Sequence, residues 1–460
     1  MMLTPYKLTA KRLTQAILIL GFLLVVAANM PGQLSNDSVR QLHEAHIHMR
    51  ETWGPVVYAS ILSVFDQIIP GTGLYLVSSV FLFFATLWGI LRSRDRVSWF
   101  APAVALVLIL SPSVMMYQGI VWKDVLFANL GVASFVLLAH IAKVWRADQK
   151  PWIAIAALVI ALAVAGQVRQ NGLITAIVAA GVLGWTLRGL GWRRAALWGL
   201  GLLTAVVLVS HILALACTPK TSLVQGIENQ GIRSLIQYDI VGMAAHDPAV
   251  KLEVISAQSP RVAQTIMTYG VPLYVPERID YLQQNPRVGQ ALDGVPLRVV
   301  GLQWISLVRH HPMAYIHHRW DVFAAVFLTP HIDSCLPLYV GVDGPAENLA
   351  DLKLTSGVDA VDQKLYNYGT RFLDTPAISH LAFAGLAIAL IAGLLIRRSP
   401  QDIAMAGLLL SGLAFAGSFF LISIACDYRY LYFLDLATLA GLFYLAVDPP
   451  WTRAQSGKDS

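Results

Sequence analysis

The chain is predicted to be an all-α polytopic membrane protein with about ten transmembrane helices, extracytoplasmic surface helices and a large extracytoplasmic loop domain. Three observations predict this. The 460 residues are 56% hydrophobic and only 13% charged, with a mean hydropathy of +0.61, whereas soluble globular chains carry roughly 25% charged residues. Uncharged tracts long enough to cross hydrocarbon recur from one end to the other. A single long hydrophilic segment, 217–375, interrupts them. These features exclude a disordered, collagenous or disulfide-scaffold protein. The net charge is +6, but most of the basic residues outside 217–375 sit in short clusters between apolar tracts, which read as topology signals, so no nucleic-acid partner is expected.

Taken in order, the expected spans are 13–30, 71–91, 98–117, 125–142, 151–168, 171–187, 195–216, 376–396, 403–424 and 428–447. The first lacks a small-residue cleavage site and is followed by more spans, so it reads as an uncleaved helix. Residues 55–69 are apolar too, but they are short and contain Asp66 and Gln67; they are expected on the membrane surface. The charge pattern agrees. With ten spans, the clusters Lys7/Lys11/Arg12, Arg92/Arg94/Arg96, Lys143/Arg146/Lys150, Arg188/Arg193/Arg194, Arg397/Arg398 and Arg453/Lys458 all fall on one side, the cytoplasmic one, with both termini. An eleventh span at 55–69 would put the Arg92 cluster outside. The chain then divides into 1–216 (spans one to seven, with the first outer loop and surface helices at 30–70), the extracytoplasmic 217–375, and 376–460 (the last three spans and a cytoplasmic tail). Cys217, Cys335 and Cys426 would all lie at or beyond the outer boundary, where a disulfide can form. An odd count leaves at least one thiol free or paired elsewhere, and three unpaired buried thiols is the competing expectation.

Ionisable residues near a bilayer are costly, so their positions carry information. Four stretches gather at the outer face. In PGQLSNDSVRQLHEAHIHMRETWGP (31–55), Asp37 sits in a turn-like Ser-Asn-Asp-Ser, where it could also simply cap a helix. In GIVWKDVLFAN (119–129), Lys123 and Asp124 stand at the mouth of an apolar hairpin, where a snorkelling anchor is the plain alternative. In GQVRQNG (166–172), Arg169 is the sole charge of a tight turn, and its forked donors suit a phosphate. In ACDYRYLYFLD (425–435), Asp427 and Arg429 lie among tyrosines of an aromatic belt, while Asp435 lies deeper and needs a partner inside the bundle. His43, His46 and His48 with Glu44 raise a metal site, but His48 leaves the helix face that His43 and His46 share, and polar residues of a wet surface helix account for them equally well.

Together these stretches put carboxylates and cations on one face of one bundle, beneath a large outer domain. In this order of parts the chain resembles the GT-C superfamily of polytopic glycosyltransferases, most of all the bacterial branch of lipid A aminoarabinose, rhizobial galacturonic acid and protein mannosyl transferases. Asp37 in PGQLSNDSVRQL matches the loop acid of that branch, 55–69 a surface helix, and Lys123-Asp124 the second acidic position; VRQNG is similar to an Arg-Asn-Asn-Gly-like turn, with Gln170 in place of one Asn. Gly54-Pro55 stands where many members have His-Pro.

The resemblance implies transfer of a sugar from a polyprenyl-phosphate carrier to a cell-envelope glycan, lipid or protein, in a bacterial inner membrane. Asp37 is the expected general base, and Lys123, Arg169 and Arg429 the expected phosphate cradle. Asp124 is expected to orient Lys123, hold the acceptor, or share a divalent cation, Mg or Mn, with Asp37; a site without cofactor is the first expectation. The rival readings are a polar-lipid transporter or flippase lined by Arg169, Arg429 and Asp435, an O-antigen ligase or polymerase depending on Arg309, His310 and His311, and a scaffold that has lost activity.

Overall fold

The structure is a computed structural model, and it describes residues 9–94, 96–145, 150–219, 221, 229–328 and 335–449. The expected topology residues Lys7, Arg146, Arg453 and Lys458 lie outside the described residues. Among the described residues the regular elements are all helical, and β-pairing is confined to isolated bridges. The chain forms two compact units, one from 1–223, 338–415 and 432–460, the other from 224–337 and 416–431.

The first unit begins with α1 (Ala10–Asn29), α2 (Asn36–Ile47), α3 (Val56–Ile68), α4 (Gly73–Arg92), α5 (Phe100–Ile109), α6 (Pro112–Met115), α7 (Lys123–Trp145), α8 (Trp152–Val168), α9 (Leu173–Thr186) and α10 (Trp192–Cys217). The second unit contributes α11 (Gln230–His246), α12 (Glu253–Gln258), α13 (Pro260–Thr265), α14 (Asp280–Gln284), α15 (Pro286–Asp293), α16 (Leu297–His310) and α17 (Pro312–Leu328). Then follow α18 (Ala346–Asp351), α19 (Ala360–Gly369), α20 (His380–Arg397), α21 (Pro400–Ile422) and α22 (Tyr432–Val447).

Seven helices among the described residues are long and apolar enough to cross a membrane: α1, α4, α7, α10, α20, α21 and Tyr428–Val447. The chain is a multi-pass membrane protein. The other three expected spans take different forms. Residues 98–117 are two helices bent by 60°, because Pro112 cannot continue the preceding helix and starts a new one. The expected spans 151–168 and 171–187 are α8 and α9, of 17 and 14 residues; at 1.5 Å per residue, α9 reaches only about 21 Å. α3, with 13 residues, is shorter still and packs on α2, α8 and α10.

The two ends of α1 differ in chemistry. Near its start, Lys11 donates to the Arg94 carbonyl (3.4 Å) and Lys143 to that of Ser93 (2.9 Å). There Arg397 and Arg94 clasp the buried Asp402, with Tyr444 donating to the same carboxylate (2.7 Å). The 31–55 segment lies at the far end of α1, 20 residues away, or about 30 Å. Within the bundle Asp435 has the partner that its depth demands: His380 Nδ1, 2.9 Å away, both side chains fully buried.

The second unit has its own core around Tyr238, Val241, Ile266, Val288, Leu307 and Val322. α15 and α16 together are apolar enough for a bent span, and Val288, Leu292, Val300 and Leu307 from them enter this core. Asp239 is buried at its centre. It accepts from Trp304 Nε1 (2.8 Å), pairs with His318 Nε2 (3.0 Å) and is held by Arg319, whose Nη1 donates to the Ser423 carbonyl (2.7 Å). Burial pushes His318 below the usual histidine value; the neutral ring receives the Tyr274 hydroxyl at Nδ1 (2.9 Å). Position 242 must be glycine, since a β-carbon there would lie 2.0 Å from His318 Nδ1. Cys335 and Cys426 form a disulfide within this unit, and Cys217 is a free thiol. Arg309 is exposed, His310 bonds the Ser306 carbonyl one turn earlier, and His311 pairs with Asp247 (2.8 Å). The two histidines thus serve local ends of structure.

Candidate functional site

The candidate site lies within the first unit, where the chain leaves α1. It turns at Gly32, whose φ of +122° is open to glycine and strained for other residues. Gln33 and Leu34 then run extended between two neighbours. On one side Gln33 N donates to the Gly119 carbonyl (2.9 Å) and Val121 N to that of Gln33 (3.0 Å); on the other, Leu34 N donates to the Gly341 carbonyl (2.9 Å) and Asp343 N to that of Leu34 (2.8 Å). Ser35 occupies the N-cap position of α2, and its hydroxyl accepts from Trp122 Nε1 (2.8 Å). Ser38 Oγ donates to the Val121 carbonyl (2.7 Å). Asp37 is therefore not the cap. It is an exposed carboxylate in the first turn of α2, where the helix dipole favours negative charge.

The same hydrogen bonds fix Lys123 and Asp124, the next two residues after Trp122. Behind them Gln118 donates to Asn129 (2.8 Å) and Tyr432 (2.9 Å), Tyr432 donates to the Ser113 carbonyl (2.7 Å), and Tyr117 stacks on Tyr432 at 5.0 Å. These buried partners hold the loop between α6 and α7 rigid. Lys123 is half-buried, its Nζ 5.7 Å from the centre of the Trp53 ring. Asp124 is 2% exposed and ion-paired with Arg169. The pairing supplies the fixed counter-charge that so deeply buried a carboxylate needs. Arg169→Met is expected to destabilise the protein by about 3–5 kcal/mol, measured by thermal unfolding in detergent, and Asp124→Asn added to it should recover part of the loss; an additive double variant would dissolve the pair.

Arg429 belongs to the second unit. It pairs with Asp427 at 3.1 Å, and Arg278 approaches the same carboxylate at 3.4 Å.

No family model matches the chain, and no curated protein matches it. Among solved structures it is similar to the archaeal oligosaccharyltransferase AglB from Archaeoglobus fulgidus, solved with an inhibitory peptide and a dolichol-phosphate, at 12% identity and a TM-score of 0.42, covering 97% of this chain and 52% of that one. It is also similar to the arabinosyltransferase EmbB from Mycobacterium smegmatis, at 14% identity and a TM-score of 0.35, covering 99% of this chain and 44% of that one. The chain spans about half the length of these structures.

Of the two carboxylates expected to share a Mg or Mn ion, Asp124 is buried with Arg169 as its ion-pair partner, and Asp37 is exposed on α2. Among the described residues no group of three or more His, Cys, Asp and Glu side chains converges as a metal site. The histidines of α2 are engaged with carboxylates: His43 with Glu51 (2.8 Å) and Asp351 (3.2 Å), His46 with Asp66 (3.3 Å). At Gly54, a β-carbon would lie 2.4 Å from the buried Gln41 amide and 2.9 Å from Thr52 Oγ1, so a histidine in this place would have to displace both.

Sequence reasoning missed one contributor altogether. Residues 338–372, expected with the outer domain, form a strap on the first unit. Tyr339 donates to the Leu34 carbonyl (2.9 Å) and its ring meets that of Trp122 at a tilt, with centroids 5.6 Å apart, while Gln33 Nε2 donates to Asp362, 329 residues further on (2.8 Å). No local pattern announces a contact at that separation.

Proposed function

We propose that the chain is a membrane glycosyltransferase that moves a sugar from a polyprenyl-phosphate carrier to an envelope glycan, lipid or protein, at the outer face of a bacterial inner membrane. The observation that carries this reading is the lacing of the Asp37 turn to the Lys123 loop by four hydrogen bonds, Gln33–Gly119, Val121–Gln33, Ser38–Val121 and Trp122–Ser35. It ties the helix turn that carries the exposed Asp37 to the loop that leads into Lys123, at the opposite end of α1 from Lys11 and Arg94. In the orientation we propose, the basic end of α1 faces the cytoplasm.

In the proposed reaction the acceptor hydroxyl oxygen attacks the anomeric carbon while Asp37 takes its proton. The bond from that carbon to the phosphate oxygen breaks, and its electron pair leaves with the lipid phosphate. Lys123 balances the charge that develops there. Arg169 acts through Asp124, and we give Arg429, paired with Asp427, no part in the step.

The test is transfer or release of radiolabelled sugar from a panel of undecaprenyl-phosphate sugars, using the full chain in lipid nanodiscs. Release from at least one donor is expected, falling about 10²–10³-fold in Lys123→Ala, the range seen when one charge-stabilising group is removed. No release above empty nanodiscs from any donor would overturn the reading.

A further inference from the structure

His43 sits on the helix that carries Asp37, and both of its ring nitrogens face carboxylates. Nδ1 lies 2.8 Å from Glu51 Oε2, and Nε2 lies 3.2 Å from Asp351 Oδ2 on α18. A neutral imidazole carries one N–H, so it can serve only one of these acceptors and turns a lone pair toward the other; an imidazolium serves both. The ring is 9% exposed and Asp351 is 66% exposed, so one jaw of this bridge is anchored and the other stands at the surface. Further contacts converge on the same point. Asn348 Nδ2, also on α18, donates to Glu51 Oε2 (3.2 Å), and Glu44 of α2 accepts from the backbone N–H groups of Glu51 (2.7 Å) and Thr52. The strap closes on α2 so tightly that a β-carbon at Gly344 would lie 2.6 Å from Val39.

We propose that His43 is a positioning residue: as an imidazolium it latches the 338–372 strap onto α2 and thereby fixes the helix turn that presents Asp37. The link to Asp37 chemistry rests on the reading given under Proposed function; the latch itself does not. The strap reaches that turn directly, through Leu34 and Gln33, so holding it at α18 also holds the segment from which α2 starts.

The two carboxylates that the ring nitrogens meet, Glu51 from the loop after α2 and Asp351 from α18, favour its proton. Of the other charged groups on these elements, Glu44 lies on α2, Arg50 follows it, Glu347 lies on α18, and Asp66 on α3 pairs with His46. Burial works against the charged ring, but Glu51 and Asp351 outweigh it and raise His43 above the ordinary histidine value. A group raised on folding stabilises fully below its unfolded pKa, about 6.5 for histidine, and ceases to do so as pH rises through the folded value. The latch is therefore closed at acidic pH and released on the alkaline side of the raised pKa.

The test is hydrogen–deuterium exchange of peptides covering Ala346–Asp351 in the full chain in lipid nanodiscs, across pH 5.5–9 and normalised to the intrinsic exchange rate. In the wild type, protection is expected to fall about tenfold through one titration, the change expected for loss of a hydrogen bond to a charged group. In His43→Gln protection should be low throughout, with no step. Asp351→Asn should behave the same way, and it alters an exposed residue that the fold tolerates, while Asp351→Glu should restore the step. A wild type without the step, or a step that survives in His43→Gln, would overturn the latch. Sugar transfer measured in parallel separates the two ideas: a step with no transfer from any donor leaves the latch standing and removes the reaction, whereas Asp37-dependent transfer without a step removes the latch alone. Where both are present, kcat should follow the exchange step with KM for the lipid donor unchanged, and a kcat indifferent to it would remove the positioning role.

Discussion

Asp37→Asn is expected to reduce sugar transfer by about 10²–10⁴-fold, the usual contribution of a positioned general base, while leaving the protein folded. The reason lies in what does and does not depend on the carboxylate. Ser35 occupies the N-cap position, Ser35 and Ser38 make the bonds to the α7 loop, and Asp37 itself is exposed. An amide of the same shape can accept a hydrogen bond from the acceptor hydroxyl but cannot take its proton. As a charge in the first turn of α2, the carboxylate contributes about 0.3–1 kcal/mol through the helix dipole. Unfolding temperature in detergent should thus change little while turnover collapses. Asp37→Glu should recover part of the rate, because the base is kept and only its reach changes. Transfer undiminished in Asp37→Asn would move the base elsewhere, and a rate loss matched by a fall in stability would make Asp37 a structural residue.

The second large effect belongs to stability. Asp239→Asn or Arg319→Met is expected to destabilise the second unit by about 3–5 kcal/mol, the range for breaking a buried ion pair from one side. Arg319 is 0% and Asp239 1% exposed, so water cannot replace the lost partner. Either change also frees other groups. Asp239 serves Trp304, His318 and Arg319 together, and Arg319 in turn holds the Ser423 carbonyl. The double variant Asp239→Asn/Arg319→Met should cost less than the sum of the single ones, since it removes both charges and leaves neither stranded. Thermal unfolding and limited proteolysis within 229–328 measure this. A single-variant loss below about 1 kcal/mol, the range of an exposed pair, would show that the network is hydrated and that Asp239 is not its keystone.

Much of the architecture is legible in the sequence, for a physical reason. A bilayer accepts only long apolar segments whose backbone bonds are satisfied internally, so the lengths of the charge-free tracts locate α1, α4, α7, α10, α20, α21 and α22 without any knowledge of packing. Where expectation and structure differ, the cause is local. Pro112 splits 98–117 into two helices, and α9 ends at Thr186 after only 14 residues. The surface placement expected for 55–69 rests on its shortness, on Asp66 and Gln67 and on the charge pattern, and α3, with 13 residues, is short of the length needed to span. Asp435 signals its need for a partner by its depth, but nothing near it in sequence names His380, 55 residues away.

The site was legible only in outline. Asp37, Lys123, Asp124 and Arg169 stand out because ionisable groups beside hydrocarbon are costly. Their number and type, however, do not say which of these charges pair with one another. By itself the sequence determined a multi-pass helical membrane protein, the end of the bundle at which its polar residues gather, and the residue types available there. Tertiary structure alone decided that Arg169 balances Asp124, that Ser35 takes the N-cap position of the Asp37 helix, and that a strap from 338–372 closes on it through His43. Periodicity and hydropathy report how each segment meets its solvent, whereas pairing between Gln33 and Asp362 or His43 and Asp351 depends on how distant segments are brought together by packing.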